Sequence, residues 1–177
     1  MPTGSPGVPP VQFRRMFEAE FGYVWGSLRR LGVDARNAED VTHDVFLQVY
    51  AKLDAYDPAR PIRPWLFGFA FRAASDYRRQ ARHRREVMGI EHDAPHEGRA
   101  PEEALSHAEE GELVARALDA IPIERRAVLI AYELDATPMK EIAQSLDVPL
   151  HTAYSRLRVA REEFAAAVRR TGFGGAP

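Results

Sequence analysis

The apolar residues of the chain recur at steps of three and four along almost every segment, which is the period of a helix with one buried face. No segment alternates apolar and polar positions well enough to be a strand. The pattern predicts helices over 11–31, 38–53, 65–85, 101–120 and 122–134, and then two more between 139 and 170. The sequence therefore predicts an all-α protein.

Polar residues and prolines mark where several of these helices should begin. Asn37 is expected to cap the second helix, and Thr137 is expected to cap the helix that follows it, with Pro138 at the first helical position. Asp147 should form the turn between the last two helices, because aspartate is one of the few residues that tolerate a left-handed conformation. Pro149 then suits the start of the final helix.

The segment 139–161 has the layout of a helix-turn-helix, with a short helix, a tight turn and a longer helix. The inward side of the longer helix is expected to carry Leu150, Ala153, Leu157, Ala160 and Phe164. The outer side and its flanks carry His151, Thr152, Tyr154, Ser155, Arg156 and Arg158. Because the N-terminal residues of a recognition helix reach base edges in the major groove, these six are candidate DNA contacts. An ordinary helical hairpin is the alternative.

Charge and composition narrow the class of protein. The chain has 177 residues and a net charge of −2, but 72–85 is strongly basic and 91–112 is mostly acidic. The glycine- and proline-containing stretch 87–100 is expected to be a flexible linker, and 1–10 a disordered tail rather than a signal peptide. There is no cysteine, and no apolar run approaches the length that spans a bilayer. We therefore expect a soluble, cytoplasmic protein.

The helix over 38–53 has a second face that its core stripe does not explain. Asp40, His43, Asp44 and Leu47 lie opposite the apolar stripe, so a leucine sits among acidic residues on the solvent side. This arrangement resembles a docking surface for a basic partner helix. A solvated acidic helix with one exposed leucine is the alternative.

The helix over 65–85 combines aromatic rings with arginines, a combination suited to single-stranded nucleic acid. Rings stack on unpaired bases at about 1–3 kcal/mol each, and arginines follow the phosphates. Residues that we assign instead to the core are Leu66, Phe69, Ala70, Ala73 and Tyr77. Trp65 and the loop arginines Arg60 and Arg63 are the better candidates for contact. His92 and His96 lie four apart in the linker, where we expect no metal site, and no motif indicates an enzyme or a cofactor.

Three ordered motifs together resemble one family. AEDVTHDVFLQVYAKLDAY, PWLFGFAFRAASDYRR and LDAIPIERRAVLIAYELDATPMKEIAQSLDVPLHTAYSRLRVARE are similar to the extracytoplasmic-function (group 4) sigma factors of the sigma-70 family. The resemblance implies a first domain, sigma region 2, over 11–86, a linker over 87–100, a four-helix second domain, sigma region 4, over 101–170, and a tail from 171. It also implies that the first domain binds core RNA polymerase and opens the minus-10 element, and that the second binds the minus-35 element.

Carried over residue by residue, the resemblance assigns each group of candidates a role. It implies polymerase docking by Asp40, His43, Asp44, Leu47 and Gln48. It implies minus-10 contacts by Arg60, Arg63, Trp65, Arg72, Asp76, Arg78 and Arg79. It implies minus-35 contacts by the six candidates on the recognition helix. Arg72 stands where the family often has asparagine, Tyr154 where it often has a basic residue, and Asp147 where glycine is frequent, so the promoter sequence is left open.

The expected partners are the clamp coiled coil and flap of core polymerase, promoter DNA and an anti-sigma factor. The alternative is a helix-turn-helix regulator that is not a polymerase subunit. A regulator of that kind needs a ligand or phospho-acceptor domain, whereas the first domain here carries an acidic docking helix and an arginine-aromatic helix. The first domain therefore favours the sigma factor.

Overall fold

A computed structural model describes residues 10–89 and 105–170, which form helices and turns without a strand. The α-helices are α1 (Pro10–Arg30), α2 (Ala35–Ala51), α3 (Ile62–Met88), α4 (Leu105–Asp119), α5 (Ile123–Leu129), α6 (Met139–Ser145) and α7 (Leu150–Arg170). The prediction of an all-α protein is confirmed. Within these two ranges, no helix is long and apolar enough to cross a membrane. The expectations for the tails, for 90–100 of the linker, for His92 and His96, and for a helix start at 101 lie outside the described residues.

The first domain is a bundle of α1, α2 and α3, each of which packs on the other two. Its core contains the expected stripes of α1 and α2 and the buried side of α3. The fully buried side chains include Val24, Leu28, Val45, Val49, Leu66 and Phe67. Burial of these apolar sides is the main source of the stability of the bundle. It contributes about 25 cal/mol of free energy for each Å² of apolar surface removed from water.

The second domain is organised around α7, which packs on α4, α5 and α6. Its core is formed by residues such as Ile121, Val128, Ile130, Ile142, Leu157 and Ala160. The helix expected over 122–134 is not uniform, because α5 ends at Leu129 and one π-helical turn follows from Ile130 to Leu134. Ala136 then adopts a left-handed conformation with φ 50°, and the chain turns into α6.

Two expected helix caps are wrong. α2 begins at Ala35, and the amide of Asn37 donates a hydrogen bond to the hydroxyl of Tyr77 (2.9 Å), so Asn37 links α2 to α3. Thr137 is buried and its backbone N–H donates to the carbonyl of Ala131 (2.9 Å), while Pro138 occupies the N-cap position of α6 without a side-chain cap. The side chain of Asn37 is engaged by a tertiary contact and that of Thr137 is buried, so neither caps a helix.

The two domains are in direct contact, because α3 packs on α6 and one hydrophobic core includes residues of both. Gly68 of α3 lies at this contact. A Cβ at this position would lie 2.5 Å from the backbone carbonyl oxygen of Ser145 at the end of α6. Only glycine therefore permits this approach of the two helices.

We predict that Ala136→Gly stabilises the protein by about 1 kcal/mol. A left-handed alanine costs about 1–2 kcal/mol relative to glycine, and part of this gain is offset by the greater backbone entropy that glycine loses on folding. Ala136 is exposed, so the change removes little packing. Urea denaturation measures the effect. The control, Ala165→Gly on the exposed side of α7, should instead destabilise by about 1 kcal/mol; equal signs for the two variants would refute the strain at Ala136.

Candidate nucleic-acid interface

The helix-turn-helix forms as predicted. Asp147 adopts the left-handed conformation with φ 53°, which lets the chain reverse between α6 and α7. The N–H of Val148 donates to the carbonyl of Ala143 (2.9 Å), and the N–H of Ala153 donates to the carbonyl of Pro149 (3.1 Å). Pro149 therefore immediately precedes α7 and accepts one of its first hydrogen bonds, as its fixed φ favours.

The inward side of α7 matches the prediction except at its first residue. Ala153, Leu157 and Ala160 are buried and Phe164 is partly buried, but the side chain of Leu150 is 45% exposed. Leu150 is the first residue of the helix, so no preceding turn covers it. Its assignment to the core is wrong, and it joins the exposed start of the helix.

The candidate minus-35 residues lie on the solvent side of α7. His151, Tyr154, Ser155 and Arg158 are exposed, and Thr152 and Arg156 are partly buried on its flanks. The guanidinium of Arg158 donates to Glu162 (2.9 Å) one turn away, an exposed pair that costs little to break. The N-terminal half of α7 thus presents to solvent the backbone N–H groups of its first turn, a tyrosine and an arginine.

In the first domain, three aromatic rings and an arginine form a continuous row, which we call the aromatic row. The ring of Trp65 lies 4.9 Å from the ring of Tyr56 and 4.9 Å from that of Phe69, measured between centroids. The guanidinium of Arg72 lies over Phe69, 4.8 Å from its centroid. Phe69 is buried, as predicted, while Trp65 and Tyr56 are partly exposed. Sequence reasoning missed Tyr56, whose only signal was its place just before the arginine loop.

Arg60 and Arg63, which the sequence placed together in a loop, are both paired, but Arg63 lies in the first turn of α3, so its assignment to the loop is wrong. Arg63 donates to Glu20 of α1 (2.9 Å) and lies 4.9 Å from the ring centroid of Tyr23, and the bond to Glu20 raises its pKa further. Arg60 donates to Glu141, which belongs to α6 of the second domain. The loop is braced by the hydroxyl of Tyr56, which donates to the carbonyl of Arg60 (2.6 Å).

The remaining minus-10 candidates lie along α3. Asp76 and Arg79 form an exposed pair (2.7 Å) one turn apart. Arg72 is exposed as a whole residue, but its Nη1 lies 3.5 Å from the position of a Cβ on Gly68, beside the Ser145 carbonyl. Partial desolvation of its guanidinium lowers its pKa, and Asp147 acts in the opposite direction. Arg78 lies 3.9 Å from Asp119, the last residue of α4. Three of the seven candidates, Arg60, Arg72 and Arg78, therefore face the second domain.

The predicted polymerase-docking residues share one exposed face of α2. Asp40, His43, Asp44, Leu47 and Gln48 are all exposed, and the side chain of Leu47 is 68% accessible to solvent. The ring of His43 donates from Nδ1 to the carbonyl of Glu39 (2.9 Å) and lies 5.4 Å from the ring of Phe21. These contacts fix its orientation at the edge of the face.

A groove of about 470 Å³ adjoins this face between α1 and α2. Its lining is almost wholly apolar and consists of Phe13, Phe17, His43, Phe46, Leu47 and Tyr50. Tyr50 is half exposed and Phe13 packs against it at 4.8 Å between centroids. The helical spacing of Phe13 and Phe17 predicts only that they face the core, and it does not reveal that both also line this groove.

Arg126 of α5 is a fully buried cation that sequence reasoning did not single out. Its guanidinium donates to Asp119 (2.8 Å) and, through two nitrogens, to the carbonyl of Ile121 (3.0 and 3.2 Å). Burial lowers its pKa to about 10, so it remains charged at neutral pH. It also lies against Gly32 of the first domain, where a Cβ would be 2.9 Å from its Nη1 and 2.2 Å from Nη1 of Arg78.

These features define a two-domain helical protein with a helix-turn-helix in the second domain and an arginine-aromatic face in the first. Over the ranges that the structure covers, no cluster of histidine, aspartate and glutamate is arranged to hold a metal. Residues 16–84 match Sigma-70 region 2, and residues 111–164 match Sigma-70, region 4.

Curated relatives agree with these two matches. The chain is 30% identical over 159 residues to the ECF RNA polymerase sigma factor SigL of Mycobacterium tuberculosis, covering 89% of each chain. It is 29% identical over 140 residues to the ECF RNA polymerase sigma-E factor of Escherichia coli K12, covering 73% of each. The chain belongs to the extracytoplasmic-function sigma factors of the sigma-70 family.

Two solved structures share the fold. One is the sigma factor RpoE in complex with the anti-sigma factor NepR from Bartonella quintana, with a TM-score of 0.72 and 18% identity over 89% of this chain and 97% of that one. The other is CnrH in complex with the cytosolic domain of CnrY, with a TM-score of 0.65 and 21% identity over 89% and 88%.

We predict that Arg126→Ala destabilises the protein by about 3 kcal/mol, because it breaks a buried ion pair and leaves the carbonyl of Ile121 without its donors. Its neighbour Arg125 supplies the control. Arg125 makes two hydrogen bonds to Glu163 (2.8 and 2.6 Å), but both side chains are about one-third exposed. Arg125→Ala should cost less than about 1 kcal/mol. Chemical denaturation compares the two, and similar losses would contradict the structural role of the buried arginine.

Proposed function

We propose that this chain binds core RNA polymerase and directs it to promoters with two recognised elements. The second domain reads the minus-35 element through α7, and the first domain opens and holds the minus-10 element. The observation that carries the proposal is the open docking face of α2 in a chain that also holds a helix-turn-helix. A regulator that acts without being a polymerase subunit has no need of that face.

The start of α7 supports major-groove binding by its chemistry. The exposed side chains of His151, Ser155 and Arg158 offer donors and acceptors for base edges and phosphates. Leu150 and Tyr154 add apolar surface, which suits the methyl group of thymine. The helix N-terminus attracts a phosphate through its free N–H groups. Arg156 and Thr152, on the flanks, position the helix on the DNA backbone.

The aromatic row supports a role in holding an unpaired strand. Tyr56 and Trp65 are partly exposed rings next to Arg60, Arg63 and Arg72, so stacking surface and cations alternate along one face. Stacking on rings tolerates any base, and arginines bind the phosphates between them. Arg78 and Arg79 continue the positive charge along α3, and Asp76 orients Arg79 through their ion pair.

The α2 face and the adjoining groove support docking on polymerase. Asp40 and Asp44 supply negative charge for a basic helix, and Leu47 supplies an apolar contact at its centre. The groove adjoining Leu47 adds further apolar surface, and its lining includes Tyr50, a residue type that is enriched among the strongest contributors to binding at interfaces. His43 and Gln48 form the polar edge of the interface.

An anti-sigma factor is the regulatory partner that this proposal includes. One structural neighbour, the RpoE of Bartonella quintana, was solved in complex with an anti-sigma factor, and the family membership of this chain fits such a partner here. The proposal places these interactions in the cytoplasm, where core polymerase and DNA are found, and it assigns the chain a binding role without catalysis. Transcription by purified core polymerase on promoter fragments, with and without the chain, is the test of the whole function.

We predict that Asp44→Arg together with Leu47→Ala abolishes binding to core polymerase. Both residues are exposed, so the double change should leave the fold intact while reversing a charge and removing the anchor. A pull-down without DNA measures binding, and circular dichroism checks the helices. The control, Glu86→Arg with Val87→Ala, makes the same kinds of change, a charge reversal and an aliphatic truncation, on the exposed end of α3 and should bind fully. Full binding by the first variant would exclude docking through α2.

We predict that Arg158→Ala weakens binding to minus-35 duplex by about 1–3 kcal/mol and more on the matched sequence than on a mismatched one, because the arginine reads a base. Arg169→Ala, at the opposite end of α7, is the control and should act weakly and equally on both sequences. Fluorescence anisotropy gives the affinities. An equal loss on matched and mismatched DNA from Arg158→Ala would mean that Arg158 contacts phosphate only.

A further inference from the structure

The exposed start of α7 carries two apolar side chains among its polar ones. Leu150 is 45% exposed and Tyr154 is 55% exposed. They are four residues apart, so they are neighbours on the same side of the helix. A single exposed apolar residue is common on protein surfaces, but these two adjoin at the end of the helix-turn-helix that reaches base edges. We call Leu150 and Tyr154 the apolar pair.

The buried side of α7 determines where the apolar pair lies. Ala153 and Leu157 are buried and so mark the inward side of the helix. At about 100° per residue, the apolar pair falls on one edge of the solvent side, while Thr152 and Arg156 fall on the other edge. A helix in the major groove has one DNA strand on either side of it. The two edges of α7 therefore meet different strands.

The cation further along the same edge is already engaged by the protein. Two nitrogens of Arg161 lie 2.7 and 2.6 Å from one carboxylate oxygen of Glu133, and its guanidinium lies over Tyr132, 5.4 Å from the ring centroid. The carboxylate and the ring together hold Arg161 more firmly than a single exposed ion pair would. The edge that carries the apolar pair is therefore poorly suited to binding phosphates.

The base edges in the major groove have one apolar group, the methyl group of thymine. The other groups that distinguish the bases are hydrogen-bond donors and acceptors, and an apolar side chain that excludes water from these leaves them unsatisfied. The apolar pair therefore favours thymine over the other bases. Four residues span about 6 Å along a helix, so the pair reaches two neighbouring base pairs, which are about 3.4 Å apart.

We propose that Leu150 and Tyr154 contact thymine methyl groups, so that the minus-35 element of this chain has thymines at two neighbouring positions of one strand. Tyr154 acts through its ring and not through its hydroxyl. This inference rests on the proposed binding of the minus-35 duplex by α7. It adds to that function the type of base that one edge of the helix selects.

Replacing thymine by deoxyuridine removes the methyl group and keeps every hydrogen-bonding group of the base pair. The full chain is titrated with a minus-35 duplex, taken from a promoter that its holoenzyme transcribes, in which the thymines are replaced one at a time. Fluorescence anisotropy should show about fourfold weaker binding at two neighbouring positions of one strand and no change elsewhere. Equal binding after every replacement, or an element without thymine, would overturn the inference.

Variants of Tyr154 identify the group that contacts the methyl. Tyr154→Ala should bind the thymine and deoxyuridine duplexes equally at one of the two positions, because the methyl group has lost its apolar partner. Tyr154→Phe removes only the hydroxyl and should keep the fourfold difference. A difference that survives in Tyr154→Ala would reflect the shape of the DNA, and one that is lost in Tyr154→Phe would belong to the hydroxyl. Either result would overturn contact through the ring.

Leu150→Ala should remove the difference at the neighbouring position and keep the one that depends on Tyr154. Leu134→Ala is the matched control, because it truncates a leucine of the same domain that is 55% exposed and lies outside α7. Its affinity and its response to deoxyuridine should equal those of the parent. All three side chains are exposed, so circular dichroism should show unchanged helices. Loss of the difference in Leu134→Ala would contradict a role specific to the apolar pair.

The proposed function has a separate readout. It fails, and this inference fails with it, if the parent chain gives no promoter-dependent transcription with core polymerase or does not bind the minus-35 duplex. A chain that transcribes from the promoter and binds the duplex, but binds equally well without the methyl groups, retains the proposed function and lacks the contact with thymine.

Discussion

Backbone contact between α3 and α6 at Gly68 brings the two domains close enough for their charged side chains to pair. Because no Cβ separates α3 from the Ser145 carbonyl, the end of α6 lies directly against the helix that carries the aromatic row. Glu141, one turn earlier in α6, then reaches Arg60. The absence of one side chain thus allows the close approach at which Arg60 pairs with the second domain.

Asp119 couples this contact to the interior of the second domain. It accepts from the buried Arg126 and also lies near Arg78 of the first domain, so one carboxylate balances two cations. Gly32 provides the space, because any side chain there would meet both guanidinium groups. Asp119 therefore belongs both to the interior of the second domain and to the contact between the domains.

Local physics explains what the sequence predicted correctly. The turn at Asp147, the buried stripe of α7 and the exposed Leu47 follow from helix period and backbone preference, which act within a few residues. Asn37, Thr137 and Leu150 were assigned wrongly for a common reason, since the surroundings of each depend on its place in the fold. Asn37 is engaged by Tyr77, Thr137 is buried, and Leu150 has no neighbour to cover it.

The contact between the domains could not be predicted in the same way. Gly68 appears in the sequence as one glycine in a helix, and Glu141 as one acid among many. Their meaning depends on partners about eighty residues away, and no periodicity carries that information. The resemblance to a family supplied roles for the arginines, but it implied separate domains and so left their pairing with the second domain unseen.

The three candidate surfaces differ in exposure. The α2 face and the start of α7 are open to solvent. The proposed minus-10 surface instead contacts the second domain, because Arg60 pairs with Glu141, Arg78 lies near Asp119, and Arg72 lies beside the contact of Gly68 with Ser145. The carboxylates that meet Arg60 and Arg78 carry the same sign of charge as a phosphate, so the acidic residues of the second domain offer this surface the same chemistry that a nucleic-acid strand would offer.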